Sequence, residues 1–132
     1  MNKNYLSGLI TVLVLSTILG LIPGTAISVA VAEQLELVPV QGMVTMVDLG
    51  AKKCIPCKMM APIMEELEKE YEDRAAIVFI DVWENPDAGR KYHIKLIPTQ
   101  IFYDAKGKES FRHEGFMDKN AIIAELTKLG VK

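Results

Sequence analysis

Met-Val-Thr-Met-Val-Asp-Leu-Gly-Ala-Lys-Lys-Cys-Ile-Pro-Cys-Lys-Met-Met-Ala-Pro, residues 43–62, changes its periodicity part-way along, and that change decides the fold. Met43 to Leu49 is a short, almost wholly apolar run, as a strand covered on both faces would be. Gly50 ends it. From Pro56 to Tyr71 the apolar residues Met60, Ile63, Met64, Leu67 and Tyr71 recur at helical spacing, with Glu65, Glu66, Glu68, Lys69 and Glu70 mostly opposite. Pro62 lies inside this helix; it removes one backbone donor and is expected to kink the helix rather than abolish it. The stretch is therefore strand, turn, helix, with Cys54 and Cys57 at the junction.

Working outward, Ala75 to Val82 reads as a second buried strand, joined to the first through the helix in a βαβ unit with a right-handed crossover. Asn85-Pro86 opens a short helix through Tyr92. Thr99 to Tyr103 and Glu109 to His113 flank the turn Asp104-Ala105-Lys106-Gly107 as an antiparallel hairpin. Asp118 is an N-cap for a last helix, Ala121 to Leu129, with Ile122, Ile123, Leu126 and Leu129 inward, and Gly130 ends it. Trp83, near a strand end, is expected to pack. A βαβ half followed by a ββα half gives an α/β domain, a mixed central sheet with helices on both faces.

The N-terminus has a different composition. Residues 1–32 carry one charge, Lys3, and no acid; Leu6 to Ile22 is an apolar run broken by Pro23-Gly24. Ala30-Val31-Ala32 then supplies a small-x-small cleavage pattern directly before Glu33. The segment 1–32 reads as a signal peptide, or as a membrane anchor if uncut, since roughly 20 apolar residues span a bilayer. Either way the domain at 33–132 is expected outside the cytoplasm, periplasmic or on the outer face of the membrane. Glu33 to Gly42 reads as an extended lead-in, with Pro39 unsuited to a central strand. The 33–132 part holds 14 basic and 17 acidic residues, without a basic stripe, which argues against nucleic acid as a partner. A monomer is expected.

The sequence has two cysteines, three positions apart. A structural disulfide closing so short a loop would remove little unfolded-state entropy. A metal site would have half a zinc shell, and His93 and His113 show no pairing pattern. Redox chemistry fits the spacing better. Cys54 ends the strand-to-helix turn, where free amides and the helix dipole stabilise a thiolate, the attacking species in disulfide exchange. Cys57, one turn on, faces it and can resolve the mixed disulfide. Pro56 suits the helix start, where its missing N–H has no intrahelical partner. No cofactor beyond the Cys54–Cys57 disulfide is needed, and no metal is expected. The methionines Met43, Met46, Met59, Met60 and Met64 follow strand and helix faces, as core filling does.

The chain from about Met43 to Leu129 resembles the thioredoxin family. The likeness rests on Val47-Asp48 before the cysteines, on Cys57-Lys58-Met59-Met60-Ala61-Pro62, on Lys95-Leu96-Ile97-Pro98-Thr99, and on Gly107 and Gly115. The resemblance implies a thioredoxin-like fold, Cys54 as nucleophile, Cys57 as resolving thiol, and Asp48 as the buried carboxylate that takes the Cys57 proton. It also implies a cis Pro98, with Ile97, Pro98, Ile55, Pro56 and Gly115 forming the substrate-binding surface. Three departures stand out. Lys52-Lys53 replace the usual tryptophan before the first cysteine, Ile-Pro replaces Gly-Pro between the cysteines, and Phe79 replaces a buried lysine. Lys52 and Lys53 are expected to favour the Cys54 thiolate through nearby positive charge.

The expected function is reduction of disulfides in exported proteins, such as an apocytochrome c, with electrons from a membrane thiol carrier. Ile97 before Pro98 resembles reducing members of the family. Two alternatives stay open: an oxidase that donates its disulfide, and a non-catalytic binding or metal-handling module of the same fold.

Overall fold

The computed structural model describes residues 38–132. The expected signal peptide or anchor at 1–32 and the start of the lead-in lie outside the described residues. In chain order the elements are β1 (Thr45–Gly50), α1 (Ile55–Glu70), β2 (Ala76–Asp81), α2 (Pro86–Lys91), β3 (Thr99–Tyr103), β4 (Glu109–Glu114) and α3 (Lys119–Lys128). The sheet order is β2-β1-β3-β4. β1 pairs in parallel with β2, and the other two pairings are antiparallel. This is the mixed sheet that a βαβ half joined to a ββα half requires.

Strand alternation assigns the side chains of β1 and β3 to two cores. On one face Met46 and Phe102 meet Met60, Met64 and Leu67 of α1 and Ile122 and Leu126 of α3. On the other, Val47, Leu49, Ile101 and Tyr103 pack with Ala88 and Tyr92, against and just beyond α2. Helices therefore cover both faces. Leu67, Ile122 and Leu126 have no exposed surface, and truncating any one to alanine should cost about 2–5 kcal/mol. Helix α1 runs through Pro62 as one sixteen-residue element, its buried side being Cys57, Met60, Met64 and Leu67.

Boundaries differ in places from the sequence reading. β1 begins at Thr45 because Met43 closes a turn onto Val40 O, and the Thr45 hydroxyl accepts from Val40 N. Gly50 belongs to the strand, its carbonyl accepting from Val82 N. Helix α3 starts at Lys119, capped as expected by Asp118, whose carboxylate accepts from Ala121 N at 3.0 Å. Trp83 does not pack. β2 stops at Asp81, whose carboxylate accepts from the amides of Trp83 and Glu84, and the resulting turn leaves the indole 58% exposed.

Candidate active site

The dithiol occupies the turn that β1 delivers to α1. Cys54 is the N-cap residue of α1, with extended backbone and no side-chain cap, so its sulfur is not committed to a helix amide. Its amide donates to Ala51 O and its carbonyl accepts from Lys58 N, both at 3.0 Å, which fixes the turn locally. Ile55 and Pro56 form the first helical positions and are exposed, Ile55 at 76%. Cys57, one turn in, is 3% exposed. The two side chains are hydrogen-bonded to one another, and both are thiols. Burial is the main force pushing the Cys57 thiol up to about 12; the hydrogen bond to Cys54 and repulsion from Cys54 and Asp48 add to it, while the Ala51 amide opposes. A half-buried Cys54 thus precedes a buried Cys57 that ionises only with help.

Gly50 makes the close approach possible. A Cβ there would lie 3.1 Å from the Phe79 ring, 3.2 Å from Cys57 Cβ and 3.3 Å from Cys57 Sγ. Phe79, in the position expected of a lysine, pairs with Asp48 across β1 and β2 and is 41% exposed. It also walls a mostly apolar cavity of about 260 Å³ shared with Ala51, Cys57, Ala61 and Met64, with Lys52, Lys58, Glu65 and Glu68 completing the lining.

Asp48 has no exposed surface. Burial raises its pKa to about 6, against the lowering effect of a hydrogen bond from Gln100. Gln100 Nε2 donates to Asp48 Oδ1 at 2.9 Å, while Asp48 Oδ2 and Gln100 Oε1 have no hydrogen-bond partner among the described residues. Asp48 interacts electrostatically with Cys57. A carboxyl that exchanges its proton near neutrality is therefore placed close to a thiol that needs to lose one.

The loop before β3 ends opposite the end of β1, where Thr99 pairs with Leu49. The Ile97–Pro98 peptide is cis. Pro98 is buried and Ile97 half-buried. Pro98 O accepts from Gly115 N at 2.8 Å, and Gly115 has φ +102°, which only glycine adopts without strain. Thr99 closes the loop by donating its hydroxyl to Leu96 O. Leu96 and Phe116 are exposed apolar residues flanking these two segments.

Lys52 and Lys53 form the turn directly before Cys54. The Lys52 ammonium binds Glu84 at 3.0 Å, so part of its charge is answered there, and its amide donates to Asp81 Oδ2 at 2.9 Å. Lys53 is exposed. Asp81 is 7% exposed. Burial opposes its charge, but the amides of Lys52, Glu84 and Trp83 outweigh that and hold its carboxyl below the usual range. Gln100 and Asp81 are the two residues the sequence did not single out. A glutamine inside the β3 run and an aspartate ending β2 were the available signals. Among the described residues no three His, Cys, Asp or Glu side chains gather as a metal site would need.

The thioredoxin family profile matches residues 29–128. The chain belongs to the thioredoxin family. It is 40% identical over 89 residues to a thioredoxin of Staphylococcus aureus, covering 67% of this chain and 85% of that one. Among solved structures it is similar to a chloroplastic thioredoxin z, with a TM-score of 0.65, 31% identity and coverage of 76% of this chain and 90% of that one. The thioredoxin of Fasciola hepatica aligns with a TM-score of 0.62 at 29% identity, over 75% and 92% of the two chains. The fold is thus the thioredoxin fold, and the protein is a thiol–disulfide oxidoreductase of that family.

Proposed function

We propose that the protein reduces disulfides of exported proteins outside the cytoplasm, using Cys54 as nucleophile, Cys57 as resolving thiol and Asp48 as proton acceptor. The observation that supports this most is the pairing of a helix-start thiol with a buried thiol beside a buried carboxyl. The Cys54 thiolate attacks a substrate disulfide, forming a mixed disulfide and releasing one substrate thiolate. Cys57 gives its proton to Asp48 and attacks the Cys54 sulfur. The Cys54–Cys57 bond forms, the second substrate thiolate leaves, and two electrons have passed to the substrate. Restoring the dithiol requires a thiol donor, which for an exported domain is a membrane thiol carrier.

Ile55, Pro56, Ile97, Pro98 and Gly115 are the proposed substrate surface. An extended substrate strand would lie along the Ile97 backbone, with exposed Ile55 on its other side. Export is supported by Lys3, the apolar run Leu6 to Ile22 and Ala30-Val31-Ala32.

An equilibrium redox titration against glutathione tests the direction of electron flow. A potential near about −270 mV is expected for a reductase, whereas one near about −120 mV would make the protein a disulfide donor.

A further inference from the structure

Gln100 stands on β3 directly opposite Asp48 on β1, on the same sheet face as Phe102 opposite Met46. Its side chain is completely buried, and its Oε1 has no hydrogen-bond partner among the described residues. Burying an amide with an idle acceptor disfavours folding, and an apolar side chain of similar size would fill the same space more cheaply. Its Nε2 donates to Asp48 Oδ1 at 2.9 Å. The other strand beside Asp48 offers the uncharged Phe79, and α1 offers the Cys57 thiol, itself hydrogen-bonded to the Cys54 thiol. The charged groups nearby, Lys52, Lys58, Glu65 and Glu68, line the cavity that Cys57 also borders.

We propose that Gln100 is a positioning residue for thiol–disulfide exchange: its side-chain N–H orients the Asp48 carboxylate and holds it in the ionised form that accepts the Cys57 proton. The role rests on the reading of Asp48 as proton acceptor. A donated hydrogen bond favours a charged carboxylate, so without it burial acts unopposed and the acid keeps its proton to higher pH. The base is then neutral, and unable to take the proton, over more of the working range. Gln100 acts only through Asp48.

Gln100→Met keeps the volume and removes the donor. Two pH profiles are compared with wild type: the Asp48 carboxyl titration, by NMR of carbon-labelled aspartate, and single-turnover resolution of a mixed disulfide on Cys54. Both midpoints should rise together by roughly one pH unit, with the rate recovered at high pH. An unmoved carboxyl midpoint overturns the role of Gln100. A carboxyl midpoint that moves while the rate profile stays contradicts Asp48 as the proton acceptor. The wild-type protein provides a check that needs no variant to fold: the Gln100 side-chain amide resonances should titrate with the Asp48 midpoint. Amide signals flat across that range overturn the contact.

Discussion

A carboxyl group with no exposed surface, as at Asp48, has no water to stabilise its charge when it ionises. Its folded-state pKa, about 6, lies above the ordinary 3.8. The proton is therefore held more tightly in the folded chain. The stability it brings is complete below about pH 4 and is lost as pH rises through about 6. Asp48→Asn removes the ionisation and keeps an oxygen for Gln100 Nε2. It should raise unfolding stability at pH 8 by on the order of 3 kcal/mol, from about two pKa units at roughly 1.4 kcal/mol each. Denaturant titrations should find the gain gone at pH 4, while disulfide reduction slows. An equal gain at both pH values would place its origin in packing instead. The sequence made Asp48 conspicuous, as an acid inside an apolar strand before the cysteines. It did not reveal Gln100 as a partner, because 52 residues separate the two and only the β1–β3 register brings them together.

Elements were legible wherever periodicity was strong. The β1–α1 junction could be read from the switch between a continuous apolar run and helical spacing, and Asp118 could be read as a cap from its chemistry. What local pattern could not supply was the anchoring between elements. Asp81 ends β2 and binds its own turn through Trp83 and Glu84, which is short-range chemistry. It also holds the Lys52 amide, 29 residues away, and so ties the dithiol turn to the end of β2. Lys52 also pairs with Glu84, and the turn built on Asp81 leaves Trp83 outside the core. The Gly115–Pro98 hydrogen bond ties the end of β4 to the loop before β3 in the same way. Gly115→Ala should strain a backbone held at φ +102°. A loss of about 1–3 kcal/mol is expected, with KM for a protein disulfide rising more than kcat falls. Thermal unfolding and steady-state kinetics check it; unchanged KM would remove Gly115 from substrate positioning.

Across the whole domain, two cores on opposite faces of one sheet leave the β1–α1 turn at one end of an inner strand, where Cys54 is half-buried and its partner Cys57 is buried. The βαβ–ββα order fixed this arrangement from sequence, since a parallel pair needs the crossover that α1 supplies. The mixed sheet and the place of the dithiol on it were therefore readable, whereas the asymmetry between Cys54 and Cys57 depends on packing by Gly50 and Phe79, which comes from β2. That asymmetry implies a division of labour between the sulfurs. Trapping the mixed disulfide tests it most directly. Cys57→Ser, mixed with an oxidised protein substrate, should accumulate a covalent adduct through Cys54 that dithiothreitol releases, while Cys54→Ser forms none. An adduct of equal yield through Cys57 in Cys54→Ser, or full disulfide-reducing activity without Cys54, would contradict the account.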